Sequence, residues 1–221
     1  MPRSPEPARR QILDAALRLF ATRGITGVSL REIRLAAEQG NAAALQYHFG
    51  TKDGLLRALL ERELPLLVDR RRRLLAVARA APDADVRSVA AVFVLPYAQL
   101  ASGTERERHV VQFLSQLHDD VSLSIEDIRE LIGDNATDEA GSLLAQRLQP
   151  VVGRELLAER LRVGTNSFLH AAAMWAKGER RAHRVSDQTF RTNLVDMFFG
   201  ALTAAPGPAL DRSKTDSGVF S

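Results

Sequence analysis

Nowhere in this chain do apolar and polar side chains alternate long enough to make a strand; apolar residues return every three or four positions instead. A chain patterned this way is confined to packing helix on helix. Its composition agrees, because Ala, Leu and Arg are plentiful and lose little side-chain freedom in a helix. The expectation is therefore an all-α fold.

The punctuation of that pattern divides the chain. Ile12, Ala15, Ala16, Leu19 and Phe20 share one face of a first helix over about 6–23, which Gly24 stops. Ser29-Leu30-Arg31-Glu32 reads as a capping box opening a short second helix, with Leu30, Ile33 and Ala37 turned inward. Glu38-Gln39-Gly40 reads as a turn and Asn41 as the cap of a third short helix, Ala42 to His48, ended by Gly50. Thr51 then caps a long fourth helix starting at Lys52, which Pro65 should kink or briefly break. The run Arg70 to Arg73 reads as the solvated face of that helix. Further helices are expected at 83–102, with Pro96 bending it, and at 105–119, 122–132, 136–149, 153–178 and 186–203, with Thr104 and Ser186 as caps. The tail 206–221 is polar and expected to be disordered.

Several function classes fall away on composition. There is no cysteine, so disulfides, thiolate catalysis and cysteine-held zinc are excluded. No apolar run approaches the roughly 20 residues of a membrane span, and the Pro/Arg-rich start lacks the apolar stretch of a secretory signal. A cytoplasmic location is expected. The sequence shows no phosphate loop, nucleophile elbow or paired-histidine motif, so no catalytic residues, metal or cofactor are expected. His109, His118, Asp119, Asp120 and His170 are too scattered to favour a metal site over ordinary surface positions. The net charge is only +3, but residues 1–52 hold eight basic against four acidic side chains. The excess of positive charge thus sits at the N-terminal end, as phosphate binding would need.

Three short helices, the last two joined by a tight turn, make a helix-turn-helix. The second unit of such a motif enters the major groove and presents its start and outer face to base edges. Here that unit carries Asn41, the small Ala42, Ala43 and Ala44, and then Gln46, Tyr47 and His48. Gln46 suits a two-point pair with adenine, and the alanine methyls suit thymine methyl groups. Tyr47 and His48 suit phosphates, as do Ser29, Arg31 and Lys52 around them.

The stretch from Arg10 to Leu60 resembles the DNA-binding domain of the tetracycline-repressor (TetR) family. The matching words are Ile12-Leu13-Asp14-Ala15-Ala16-Leu17-Arg18-Leu19-Phe20, then Gly24, Ser29-Leu30-Arg31-Glu32-Ile33, Leu45-Gln46-Tyr47-His48-Phe49 and Lys52-Asp53-Gly54-Leu55. The chain departs from the family pattern at the turn, where Glu38 follows Ala37, Ala43 stands at a usual glycine and Gln46 at a frequent tyrosine. The resemblance implies a DNA-binding domain at 1–51 and a helical regulatory and dimerisation domain at 52–205. It implies a homodimeric repressor that binds a palindromic double-stranded DNA operator and is released by a small-molecule effector. Candidate pocket residues are Tyr97, Gln112, Phe113, Gln116, Asn166, His170 and Trp175, polar or aromatic groups among aliphatic ones. Candidate dimer-interface residues are Phe168, Ala172, Trp175, Phe190, Leu194, Met197 and Phe198, on the last two helices. The competing expectation is a small-molecule-binding protein, or an activator, whose helix-turn-helix is not a repressor module.

Overall fold

The chain was examined as a computed structural model that describes residues 5–38, 42–80, 85–119, 136–178, 185–205 and 207. Among these residues every regular element is a helix. In order they are α1 (Pro5–Arg23), α2 (Leu30–Ala36), α3 (Ala42–Phe49), α4 (Lys52–Ala80), α5 (Val86–Ala101), α6 (Glu105–Asp119), α7 (Ala136–Val152), α8 (Arg154–Lys177) and α9 (Asp187–Thr203). The expected helix at 122–132, the turn residues Gln39 and Gly40, the Asn41 cap and nearly all of the tail lie outside the described residues. Asp120 and the side chains of His118 and Asp119 do too.

Local chemistry sets the helix ends. Gly24 and Gly50, both at positive φ, follow α1 and α3, and their amides donate to Phe20 and Gln46. Ser29 forms the full reciprocal capping box with Glu32. The Thr51 hydroxyl accepts from the Gly54 amide at 3.1 Å. Asp85, Thr104 and Ser186 cap α5, α6 and α9 in the same way.

Pro65 does not break α4, which runs as one helix through all 29 residues. Pro65 lies on the solvent side, as does Glu61, whose carbonyl loses its amide partner. Water can hydrate that carbonyl, while Leu64, Leu67 and Val68 hold the inner face against the core. The arginine run is not one solvated face either. Arg72 and Arg73 are exposed, Arg70 is half-buried on Glu107, and Arg71 is buried at 5% exposure. Helical geometry explains this, since four consecutive residues sweep most of the way round a helix.

The N-terminal unit packs α1 against α2, α3 and α4 around Ile12, Ala16, Phe20, Ile33, Leu45 and Leu55. The larger C-terminal bundle is built round α5, which touches α4, α6, α7, α8 and α9. Such a helix must be apolar on nearly every side, and α5 buries Val89, Ala90, Val92, Val94, Pro96, Ala98, Leu100 and Ala101. Pro96 lies inside α5, which is continuous over Val86–Ala101. The two units meet where α1 lies on α6, with Phe20 and Phe113 stacked at a centroid distance of 6.2 Å.

Candidate nucleic-acid interface

α3 owes its position to two of its own residues. Leu45 and Phe49 lie one turn apart and are buried in the N-terminal core. That anchoring turns the intervening face outward: Gln46 is exposed, Tyr47 is 82% exposed and His48 is half-exposed. An aromatic side chain so fully in water is unusual where nothing covers it. Its ring meets the His48 ring edge-on at 5.3 Å, so the two form one projecting unit. The backbone of Ala42, Ala43 and Ala44 opens the helix ahead of them. The Arg9 guanidinium lies over the Phe49 ring at 5.7 Å, which places a further cation beside α3 that the sequence alone did not single out.

The residues flanking α3 are held with equal definition. The Ser29 amide donates to the Glu32 carboxylate at 2.9 Å, and Arg23 of α1 pairs with the same carboxylate at 2.7 Å. The Ser29 backbone bond, the Ser29 hydroxyl and Arg23 together hold the Glu32 pKa down at about 2. This clamp fixes α2 against α1 and leaves Arg31 exposed beside it. Lys52 is turned inward: its ammonium donates to the Ile25 carbonyl and lies 5.7 Å over the Phe20 ring. It thereby ties the start of α4 to the loop between α1 and α2. The close seat of α4 on α3 needs Gly54, because a Cβ there would stand 2.1 Å from the Phe49 carbonyl oxygen.

Residues 12–59 match the profile of bacterial regulatory proteins, tetR family, over α1, α2, α3 and the start of α4. The match is to an N-terminal regulatory domain of that family and is confined to these residues. No curated protein matches it in sequence. Among solved structures it is similar to a HlyIIR mutant with a stretch replaced by alanine, at 20% identity and a TM-score of 0.55, covering 92% of this chain and 99% of that one. The likeness establishes the fold over nearly the whole length. A putative TetR-family transcriptional regulator from Rhodococcus sp. follows at 18% identity, a TM-score of 0.49, and coverage of 89% and 99%.

The residues singled out for an effector pocket do not converge. Gln112 and Phe113 are buried on the face of α6 that meets α1, and Gln116 reaches towards Gly24. They stand at the junction with the N-terminal unit. His170 is exposed on α8, and Asn166 is half-buried one turn before it. Trp175 stacks flat on Phe190 at 4.0 Å, joining α8 to α9. Tyr97 lies elsewhere, between Phe168 and Arg71.

The residues singled out for a dimer interface divide in two. Phe168, Ala172, Leu194 and Phe198 are buried within the chain, whereas Met197 is 63% exposed. Met197 borders an apolar groove of about 320 Å³ between α8 and α9, with Val163, Gly164, Ala171 and Ala201. Gly164 is needed there, since a Cβ would stand 2.7 Å from the Phe198 ring.

Among the described residues no group of three or more His, Asp or Glu side chains could hold a metal ion. No helix among them is long and apolar enough to cross a membrane. A second cleft, of about 560 Å³, lies between the two units and is lined by Asp14, Arg18, Glu38, Glu105, Arg106 and His109. Burial lowers the His109 pKa there, with Arg108 and Arg18 acting in the same direction against Glu105.

Proposed function

We propose that this chain is a ligand-responsive repressor that binds a palindromic operator as a homodimer. The observation that carries this is the outward face of α3, where Gln46, Tyr47 and His48 project while Leu45 and Phe49 fix the helix beneath them. Gln46 would read a base edge. Tyr47 and His48 would hold the backbone, as would Ser29, Arg31 and Asn41, with the start of α3, from Ala42 to Ala44, approaching closely. Lys52 would act chiefly by setting the position of α4, because its ammonium is engaged on Ile25. The division at residues 51 and 52 would separate reading head from regulatory body, with α4 shared between them.

The exposed apolar side chains of Val163 and Met197 and the groove between them support pairing through α8 and α9. A partner's copies of these helices would complete a four-helix interface and set two α3 helices about 34–36 Å apart, one turn of DNA. An effector held in the C-terminal bundle would favour another spacing, by as much as its affinity differs between the two states.

The experiment is selection of preferred sequences from a random DNA pool by the full-length protein, followed by anisotropy titration of the winning duplex. Wild type should select a two-fold symmetric site and bind it with strong salt dependence. The Gln46→Ala, Tyr47→Ala, His48→Ala variant should lose that preference. Normal binding by the triple variant would show that another surface reads DNA. A sedimentation mass equal to one chain at micromolar concentration would remove the dimer.

A further inference from the structure

Among the described residues Arg71 is the one arginine or lysine that is buried, at 5% exposure. Its Nη1 donates to the Thr137 hydroxyl at 2.8 Å, and its Nη2 lies 3.4 Å from the Tyr97 hydroxyl. The guanidinium also sits 5.8 Å over the Tyr97 ring, and its buried Nε has no hydrogen-bond partner. Every one of these neighbours is neutral, and no described acidic side chain pairs with Arg71. A buried cation without a counter-ion is a costly arrangement, and folded proteins normally complete it with an anion.

The chain elsewhere observes that rule. Glu63, on the same helix and equally buried, is met by both Arg62 and Arg106. Among the described residues the missing anion at Arg71 is thus specific to one place, where α4, α5 and α7 meet. The unpartnered part of Arg71 also has a shape. Nε–H and one Nη2–H lie parallel along one edge of the planar group, and that edge receives the two oxygens of a carboxylate together. Nε is unpartnered and Nη2 holds only a long contact. The surroundings are apolar: Leu67, Leu75 and Ala140 are buried nearby on α4 and α7, and the Phe168 ring stands 5.6 Å from Tyr97.

We propose that Arg71 is the anion-receiving group of an effector site, and that the effector is a small carboxylate with an apolar body. The carboxylate pairs with the Nε–Nη2 edge, Tyr97 flanks the pair, and the hydrocarbon part packs among the aliphatic residues of α4, α5 and α7. This rests on the C-terminal bundle being the effector domain.

The test uses the full-length protein without DNA. Benzoate, phenylacetate, hexanoate and decanoate are titrated calorimetrically and by thermal shift, beside benzamide, hexanamide and inorganic phosphate. At least one carboxylate should bind where its amide does not, and Arg71→Met should weaken that binding by about ten- to a hundredfold, the size of a charge-assisted pair. The ligand-free variant should melt no lower than wild type. Absence of carboxylate binding, equal binding by Arg71→Met, binding of phosphate alone, or a clearly lower melting temperature of the ligand-free variant would each overturn the proposal. Operator binding is measured separately. Carboxylate binding through Arg71 in a protein that selects no DNA would sink the repressor function and leave this site standing, while normal DNA selection with no carboxylate binding would do the reverse.

Discussion

Glu63 and Arg71 are two buried charges on one helix, eight positions apart, and they are treated in opposite ways. Glu63 accepts from Arg62 Nε at 2.7 Å and from Arg106 at 2.9 Å, and Arg62 continues to Asp14 of α1 at 2.8 Å. Its charge joins α1 of the N-terminal unit to α4 and α6. Arg71 has hydroxyls, an aromatic face and an idle nitrogen. The difference separates a charge that holds a structure together from one held ready for something that arrives.

The sharpest way to break that comparison is to strip Glu63 of its partners. The Arg62→Ala, Arg106→Ala variant should lose about 3–5 kcal/mol of stability in urea titration, the cost of an uncompensated buried charge. Arg106→Ala alone should lose much less, because Arg62 remains. A double variant near wild type would mean that Glu63 is not held by its ion pairs.

Arg71→Met should move stability the other way. Replacing an uncompensated charge by a side chain of similar length leaves the ligand-free protein unchanged or stabilises it by about 1–4 kcal/mol. If both regions lost stability alike, the distinction between them would disappear.

A third variant tests the joint above Glu63 without touching charge. Gly54→Ala improves helix propensity yet places a methyl carbon against the Phe49 carbonyl. It should destabilise by about 1–3 kcal/mol, as overpacking does, and weaken operator binding by displacing α3. A more stable variant with unchanged DNA binding would show that the contact relaxes freely.

The smallest effect is expected at the exposed clamp. Glu32 has a folded pKa of about 2 against an ordinary 4.5, so the folded state resists its protonation. Its contribution is complete above pH 4.5 and disappears as the pH falls towards 2, where both states become protonated. Thermal melts of Glu32→Gln should therefore lie below wild type at neutral pH and converge with it in acid. A constant gap across that range would assign the effect to packing.

The same two regions show what sequence discloses. The head was legible because its signals are local: Ser29 and Glu32 are three residues apart, Gly24 and Gly50 act on their own helices, and Leu45 and Phe49 are a turn apart. The starts of α6 and α9 were legible for the same reason, from Thr104 and Ser186, whereas α7 runs past its expected end at 149, through Pro150, to Val152. The interior of the body was not, because Tyr97 meets Arg71 and Phe168 only after α4, α5 and α8 have packed. Arg71 itself did leave a trace. Leu64, Leu67, Val68, Arg71, Leu75 and Ala78 recur at three and four, which puts one member of the arginine run on the apolar face. Treating the run as a block of charge hid that periodicity. Whether Pro65 breaks α4 was hidden for a related reason, since that depends on whether the carbonyl it frees can reach water.

Because α4 passes Pro65 unbroken and rises about 1.5 Å per residue, its first residue stands up to about 28 Å from Arg71. A tilt of about 5° pivoting at the Arg71 end would carry the far end through about 2.5 Å. That approaches the roughly 3.4 Å between successive base pairs. A displacement too small to disturb packing around Tyr97 would therefore be enough to take Gln46 out of step with the bases it is proposed to read.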